Sequence, residues 1–111
     1  MMNTPDAKSG YLGLVPKGQA FRNEVAARVV LDIFRHTPGR IARASTVPNL
    51  LCVCAADSVA PAKASLKHAA KIPKGEVKLY QLGHFDIYAG KGFEAVIADQ
   101  LEFIKRQLPV E

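Results

Sequence analysis

The chain has 111 residues, of which 49% are apolar and 23% are charged, and its formal net charge is +5. This length suits a single domain, the composition excludes an intrinsically disordered chain, and no apolar run reaches the roughly 18–20 residues of a membrane-spanning helix. The basic residues are scattered and no aromatic-interleaved basic patch accompanies them, so we expect neither a nucleic-acid partner nor a membrane partner.

Residues 1–19 are predicted to form an irregular arm, because Pro and Gly residues interrupt any regular pattern there. The apolar side chains of this arm lead us to expect that it packs against the rest of the chain. Residues 20–111 are predicted to form a single α/β domain. It opens with an amphipathic helix over residues 20–36, where apolar side chains recur at four-residue spacing from Phe21 to Ile33.

An unbroken apolar run at residues 50–54 is typical of a strand buried on both faces of a parallel sheet. A second helix is predicted over residues 61–72, a more polar strand over residues 76–82, and a closing helix over residues 92–108. The pattern therefore predicts an α/β fold, a parallel strand–helix–strand–helix unit preceded by one helix. Its crossover should be right-handed.

Two strands cannot by themselves bury a strand that is apolar on both faces. Residues 50–54 should have neighbours on both sides, and the chain offers one convincing neighbour, residues 76–82. An uncovered strand edge favours association. We therefore expect a homo-oligomer formed through the sheet, or a missing segment of a larger fold that completes it.

Cys52 and Cys54 are the only cysteines, and their spacing places them on one face of the predicted strand. Neighbouring cysteines on one face are poor disulfide partners, and two thiols without further ligands do not predict a metal site. We expect two small buried residues in a reducing compartment, no metal and no cofactor. Because the first ten residues lack an apolar segment of signal-peptide type, the expected location is cytoplasmic.

Asp57 and His84 each follow the carboxyl end of a predicted strand. The carboxyl ends of neighbouring parallel strands lie at the same sheet edge, where an Asp can orient a His that acts as a general base. The plainer alternatives are a turn or helix N-cap role for Asp57 and a backbone partner for His84. Asp86 is expected to bind its own loop backbone, and the alternative is that it competes with Asp57 for His84.

Here the sequence resembles the C-terminal part of an α/β-hydrolase, a member of the serine-hydrolase-like superfamily. The matching segments are the strand at residues 48–54, the acid loop at 57–61, the histidine loop at 83–88 and the closing helix, and the resemblance spans residues 20–108. It implies a partial α/β-hydrolase fold in which Asp57 is the triad acid and His84 the triad base. It also implies hydrolysis of an ester or related acyl compound of small size.

The sequence departs from this family in having no nucleophile elbow of G-x-S-x-G type and no HGGG-type oxyanion loop. The serines lack the flanking glycines of an elbow; they are Ser9, Ser45, Ser58 and Ser65. The nucleophile-bearing N-terminal part would precede Met1, so we expect the isolated chain to be inactive. The alternative function is a non-catalytic small α/β module that oligomerises through its sheet.

Overall fold

The computed structural model describes residues 4–20 and 24–108. It contains seven elements: α1 (Ala7–Leu14), α2 (Val29–Ile33), α3 (Pro38–Ala42), β1 (Asn49–Cys54), α4 (Ala62–Ala69), β2 (Gly75–Tyr80) and α5 (Gly90–Gln107). The two strands pair in parallel. The prediction of a mixed α/β chain with a parallel strand–helix–strand–helix order is therefore confirmed, with element ends displaced by a few residues.

The strand β1 is the most buried part of the sheet. Val53 and Cys54 are almost fully buried, and the backbone of Ala55 continues the ladder by donating to the carbonyl of Tyr80 at 2.8 Å. At its start, the Asn49 amide donates to the carbonyl of Val47 at 2.7 Å, which turns the chain into the strand after Pro48. The side-chain turn at Asn49 thus marks the start of β1.

One face of β2 is polar and contacts α5. The Tyr80 hydroxyl donates to Asp99 at 2.7 Å, and the Lys78 ammonium lies 3.2 Å from the same carboxylate. Near the other end of the strand, Arg106 lies 2.8 Å from Glu76. Because side chains alternate along a strand, these contacts leave the apolar side chains of β2 on the opposite face, where Leu79 is 52% exposed.

The closing helix α5 begins where the backbone passes very close to the histidine loop. A Cβ added at Gly92 would overlap the carbonyl of Asp86, so only glycine fits there. Farther along, Val96 is buried, and Glu102 and Arg106, one turn apart, form an ion pair at 3.9 Å. Like the other helices in the described ranges, α5 is not long and apolar enough to cross a bilayer.

The N-terminal region differs from the prediction in two ways. Residues 7–14, expected to be irregular, form α1. The helix expected over residues 20–36 is reduced to α2, preceded by turns and irregular backbone; residues 21–23, including Phe21 of the apolar stripe, lie outside the described ranges. A helix needs packing for its apolar face, and here that face meets solvent: Val25 is 64% and Phe34 82% exposed. Pro38, just beyond the predicted end of that helix, lies in the first turn of α3.

The described part of the chain encloses only a small core. Its buried apolar residues are Ala7, Val53, Cys54, Ala69 and Val96. The accessible surface is 8995 Å², whereas a compact monomer of this length has about 6,000 Å². The radius of gyration is 16.3 Å, against about 13 Å for a compact domain. The fold therefore exposes much apolar surface that a compact domain would bury.

Candidate functional site

The site lies where the acid loop (residues 57–61) and the histidine loop (residues 83–88) leave the carboxyl ends of β1 and β2. Parallel pairing puts Cys54 beside Tyr80, so both loops begin at one sheet edge. There His84 Nδ1 lies 2.9 Å from Asp57 Oδ2. The two side chains are largely shielded, with 22% and 11% of their surfaces exposed respectively. The structure thus brings together the two residues that the sequence singled out.

Asp57 uses its two carboxylate oxygens for different partners. Oδ2 faces His84, while Oδ1 accepts the backbone N–H groups of Val59 at 2.8 Å and Ala60 at 2.7 Å. Burial opposes ionisation of this carboxyl, but the hydrogen bonds from Ala60, His84 and Val59 prevail and lower the pKa of Asp57. Asp57 is therefore a carboxylate at neutral pH, and the predicted turn role coexists with contact to His84.

The imidazole of His84 is held on several sides. Asp57 contacts Nδ1, and the rings of Phe85 and Tyr88 lie edge-on to the imidazole, with centroids 4.9 Å and 6.2 Å away. A carboxylate at Nδ1 favours the tautomer with the proton on that nitrogen. Nε2 is then the nitrogen that can accept a proton from a reacting group.

Asp86 does not compete for His84 in this structure. Its Oδ2 accepts the backbone N–H of Gly83 at 2.7 Å, which closes the histidine loop on itself. The expected loop-backbone role of Asp86 is therefore confirmed. The other two histidines are exposed: His36 lies in the connection between α2 and α3, and His68 lies in α4.

A cavity of about 370 Å³ runs from β1 to the His84–Asp57 pair. It is lined by Leu51, Cys52, Val53, Cys54, Asp57, Ala60, Ser65, His84, Ile87 and Tyr88. The side chains of consecutive strand residues point to opposite faces of a sheet. A space lined by the four consecutive residues 51–54 touches both faces, so it lies along the edge of the strand. The cavity therefore follows the edge of β1 that pairs with no other described strand.

No described serine donates a hydrogen bond to His84. The Ser58 hydroxyl donates instead to both carboxylate oxygens of Asp6, at 2.8 Å and 2.9 Å. Sequence reasoning missed this contact, because 52 residues separate the partners and no local pattern connects them. Ser65 lines the cavity but has no hydrogen bond to the imidazole.

Cys54 is close to the site but is poorly suited to nucleophilic attack. Burial, and then the negative charges of Asp57 and Asp86, raise the pKa of its thiol. Because the thiolate is the reactive form, a raised pKa suppresses its reactivity. Among the described residues, no group of three His, Cys, Asp or Glu side chains is arranged to hold a metal ion.

Comparison with known proteins gives one informative similarity. No family model matches the chain, and no solved structure matches it significantly. The quorum-quenching protein AidA of Acinetobacter baumannii (strain MDR-ZJ06) is 53% identical over all 111 residues. The chain spans 36% of the length of that relative.

Proposed function

We propose that this chain supplies the acid and the base of an α/β-hydrolase-type triad, with Asp57 as the acid and His84 as the base. The observation that carries the proposal is the 2.9 Å contact between His84 Nδ1 and Asp57 Oδ2 at the carboxyl edge of two parallel strands. The quorum-quenching name of the relative is compatible with a hydrolase-like role. The proposed substrates are small esters or related acyl compounds.

In the proposed mechanism Asp57 keeps the imidazole in the tautomer that leaves Nε2 free to accept a proton. His84 takes the proton of a hydroxyl nucleophile as that oxygen attacks the acyl carbon, and the carboxylate of Asp57 stabilises the imidazolium that forms. His84 then gives the proton to the departing alcohol or amine. Water repeats the sequence on the acyl intermediate and releases the acid.

The nucleophile in this proposal belongs to a hydrolase segment that pairs with the free edge of β1. The cavity along that edge, which ends at the Asp57–His84 pair, supports this arrangement. The accessible surface supports it too, because it exceeds the value for a compact monomer by about 3,000 Å², which leaves ample area for a partner to cover. Without such a partner the chain is expected to be inactive.

The proposal is tested by hydrolysis of a p-nitrophenyl ester. The chain is assayed alone, and again after co-expression with the part of the AidA relative outside the matched region. We expect turnover only in the second case, and His84→Ala should lower kcat by about 10³-fold or more. His68→Ala changes an exposed histidine of α4 that does not line the cavity, so it is the matched control and should retain wild-type turnover. Equal rates for the two variants would contradict the proposed role of His84.

The second candidate function is a non-catalytic α/β module that oligomerises through its sheet. The free edge of β1 and the half-exposed Leu79 on β2 favour it. A complex with the relative's segment that forms but hydrolyses no ester, together with a stable oligomer of the chain alone, would support this function over the hydrolase.

A further inference from the structure

Helix α1 contacts both loops of the candidate site. At its start, the carboxylate of Asp6 accepts the hydroxyl of Ser58, the residue that follows Asp57. One turn later, the ring of Tyr11 lies edge-on to Phe85, with centroids 5.3 Å apart. Phe85 is the residue that follows His84. The same short helix therefore contacts the neighbour of the acid and the neighbour of the base.

Gly10 sets how closely α1 approaches the histidine loop. A Cβ added at Gly10 would overlap the ring of Phe85, so the ring occupies the space that a side chain would fill. That ring is in turn edge-on to the imidazole of His84 at 4.9 Å. A displacement of Phe85 would therefore act directly on the position of His84, because packed rings leave little free volume.

The contact of Asp6 is that of a charged acceptor. The hydrogen bond from Ser58, the largest cause, lowers the pKa of Asp6 and keeps it ionised at neutral pH. Hydrogen bonds to a carboxylate are stronger than those between neutral groups. The acid loop is thus attached to α1 through Ser58, while its own backbone is attached to Asp57 through Val59 and Ala60.

We propose that α1 is a clasp, which keeps the acid loop and the histidine loop in fixed positions relative to each other. In this proposal Asp6 and Gly10 are positioning residues for the His84–Asp57 contact. The inference rests on the proposed function of that pair. Asp6 fixes the acid loop through Ser58, and Gly10 lets Phe85 sit deeply enough to support His84. Neither residue touches the reacting atoms.

The test compares Gly10→Ala with Gly13→Ala in the full chain. Both changes replace a glycine of α1 by alanine, but a Cβ at Gly13 would meet no atom within 4 Å. The readout is the titration of the Asp57 carboxyl, followed by ¹³C NMR, together with the resonance of the His84 Nδ1 proton. We expect Gly10→Ala to shift the Asp57 midpoint upward and to broaden the Nδ1 signal, because the hydrogen bond from His84 is weakened. Gly13→Ala should reproduce the wild-type titration.

A second pair of variants covers the case in which Gly10→Ala fails to fold, as judged by circular dichroism. Asp6→Ala and Ser58→Ala each break the same contact. Ser58→Ala leaves the charge of Asp6 in place and should shift the Asp57 midpoint upward. In the Asp6→Ala background, Ser58→Ala should shift the midpoint no further, because the contact is already lost. Titrations equal to wild type in Gly10→Ala and Ser58→Ala, or equal shifts in Gly10→Ala and Gly13→Ala, would overturn the clasp.

His84→Ala separates failure of the clasp from failure of the proposed function. This variant removes the imidazole, so it should shift the Asp57 midpoint upward whatever α1 does. If His84→Ala shifts the Asp57 midpoint and Gly10→Ala does not, the clasp is wrong, while the contact between His84 and Asp57 is supported. If His84→Ala leaves the titration unchanged, His84 and Asp57 do not interact, and the proposed function fails together with the clasp.

Discussion

At the scale of single residues, Asp57 joins the acid loop to the imidazole of His84. One oxygen of its carboxylate holds the backbone of the acid loop, and the other contacts His84. The loop contacts fix the direction in which the carboxylate points, which in turn fixes the orientation of the imidazole. A catalytic role for His84 thus depends on a turn that sequence patterns attribute to ordinary loop chemistry.

Replacing Asp57 should change the pH dependence of stability. Hydrogen bonds lower the pKa of Asp57 in the folded chain. The ionised carboxylate therefore stabilises the fold at pH values above its unfolded-state pKa of about 3.9. This stabilisation is lost as the pH falls through the folded-state pKa. We expect Asp57→Asn to be less stable than wild type at pH 6, with a difference that shrinks below about pH 4. Urea unfolding at pH 6 and pH 3 measures this. A difference that grows toward acid pH would contradict the argument.

The thiol of Cys54 should be protected from alkylation at neutral pH. Burial raises its pKa and also blocks access. In a Cys52→Ala background, where Cys54 is the only thiol, we expect iodoacetamide to react roughly tenfold or more slowly in the native chain than in urea. Mass spectrometry over time gives both rates. Similar rates would show a reactive thiol beside Asp57 and reopen the question of the nucleophile.

At the scale of elements, β2 and α5 are joined through a polar contact rather than an apolar one. The Tyr80 hydroxyl and the Lys78 ammonium meet at Asp99. Burial, and then the hydrogen bond to Asp99, raise the pKa of Tyr80 and keep its phenol a donor. This contact joins α5 to the strand that leads into the histidine loop.

Tyr80→Phe should destabilise the chain by about 1–2 kcal/mol, because it removes a donor to a carboxylate while preserving the ring. Tyr88→Phe is the control. Because the Tyr88 side chain is half-exposed, this change should lower the free energy of unfolding by less than about 0.5 kcal/mol. Chemical unfolding followed by far-UV circular dichroism measures both. Equal stabilities of the two variants would indicate that the Tyr80–Asp99 contact contributes nothing to the joint between β2 and α5.

At the scale of the whole molecule, the chain exposes more surface than a compact domain of its length. Its 8995 Å² of accessible area and small core support the proposal that a partner covers part of it. The free edge of β1 ends beside the candidate site, so completing the sheet and completing the site involve the same surface. The hydrolase segment and a second copy of the chain are the two proposed occupants of that edge.

In the absence of a hydrolase segment, we expect the chain to self-associate at micromolar concentration, because an uncovered strand edge and apolar sheet face favour association. Sedimentation velocity measures this. Leu79→Glu, on the exposed sheet face, should weaken association, whereas Leu108→Glu, just beyond the end of α5, should not. A clean monomer at that concentration would contradict the proposal.

The regular elements from β1 onward followed from the sequence because their signals are strong and local. The unbroken apolar run predicts β1, and Pro61 predicts the start of α4. The long apolar stripe at helical spacing predicts α5. The helix predicted over residues 20–36 is reduced to α2 in the structure. Periodicity predicts a stable helix only where its apolar face packs against another part of the chain. Local patterns cannot report whether that packing exists.

The sequence by itself determined the α/β order and singled out Asp57 and His84, because strand ends and residue types are local properties of the chain. The tertiary structure alone decided that His84 Nδ1 meets Asp57 Oδ2 and that α1 reaches both loops. It also decided that a cavity follows the free edge of β1. These are contacts between distant residues, and they depend on how the elements pack, which no spacing along the chain encodes.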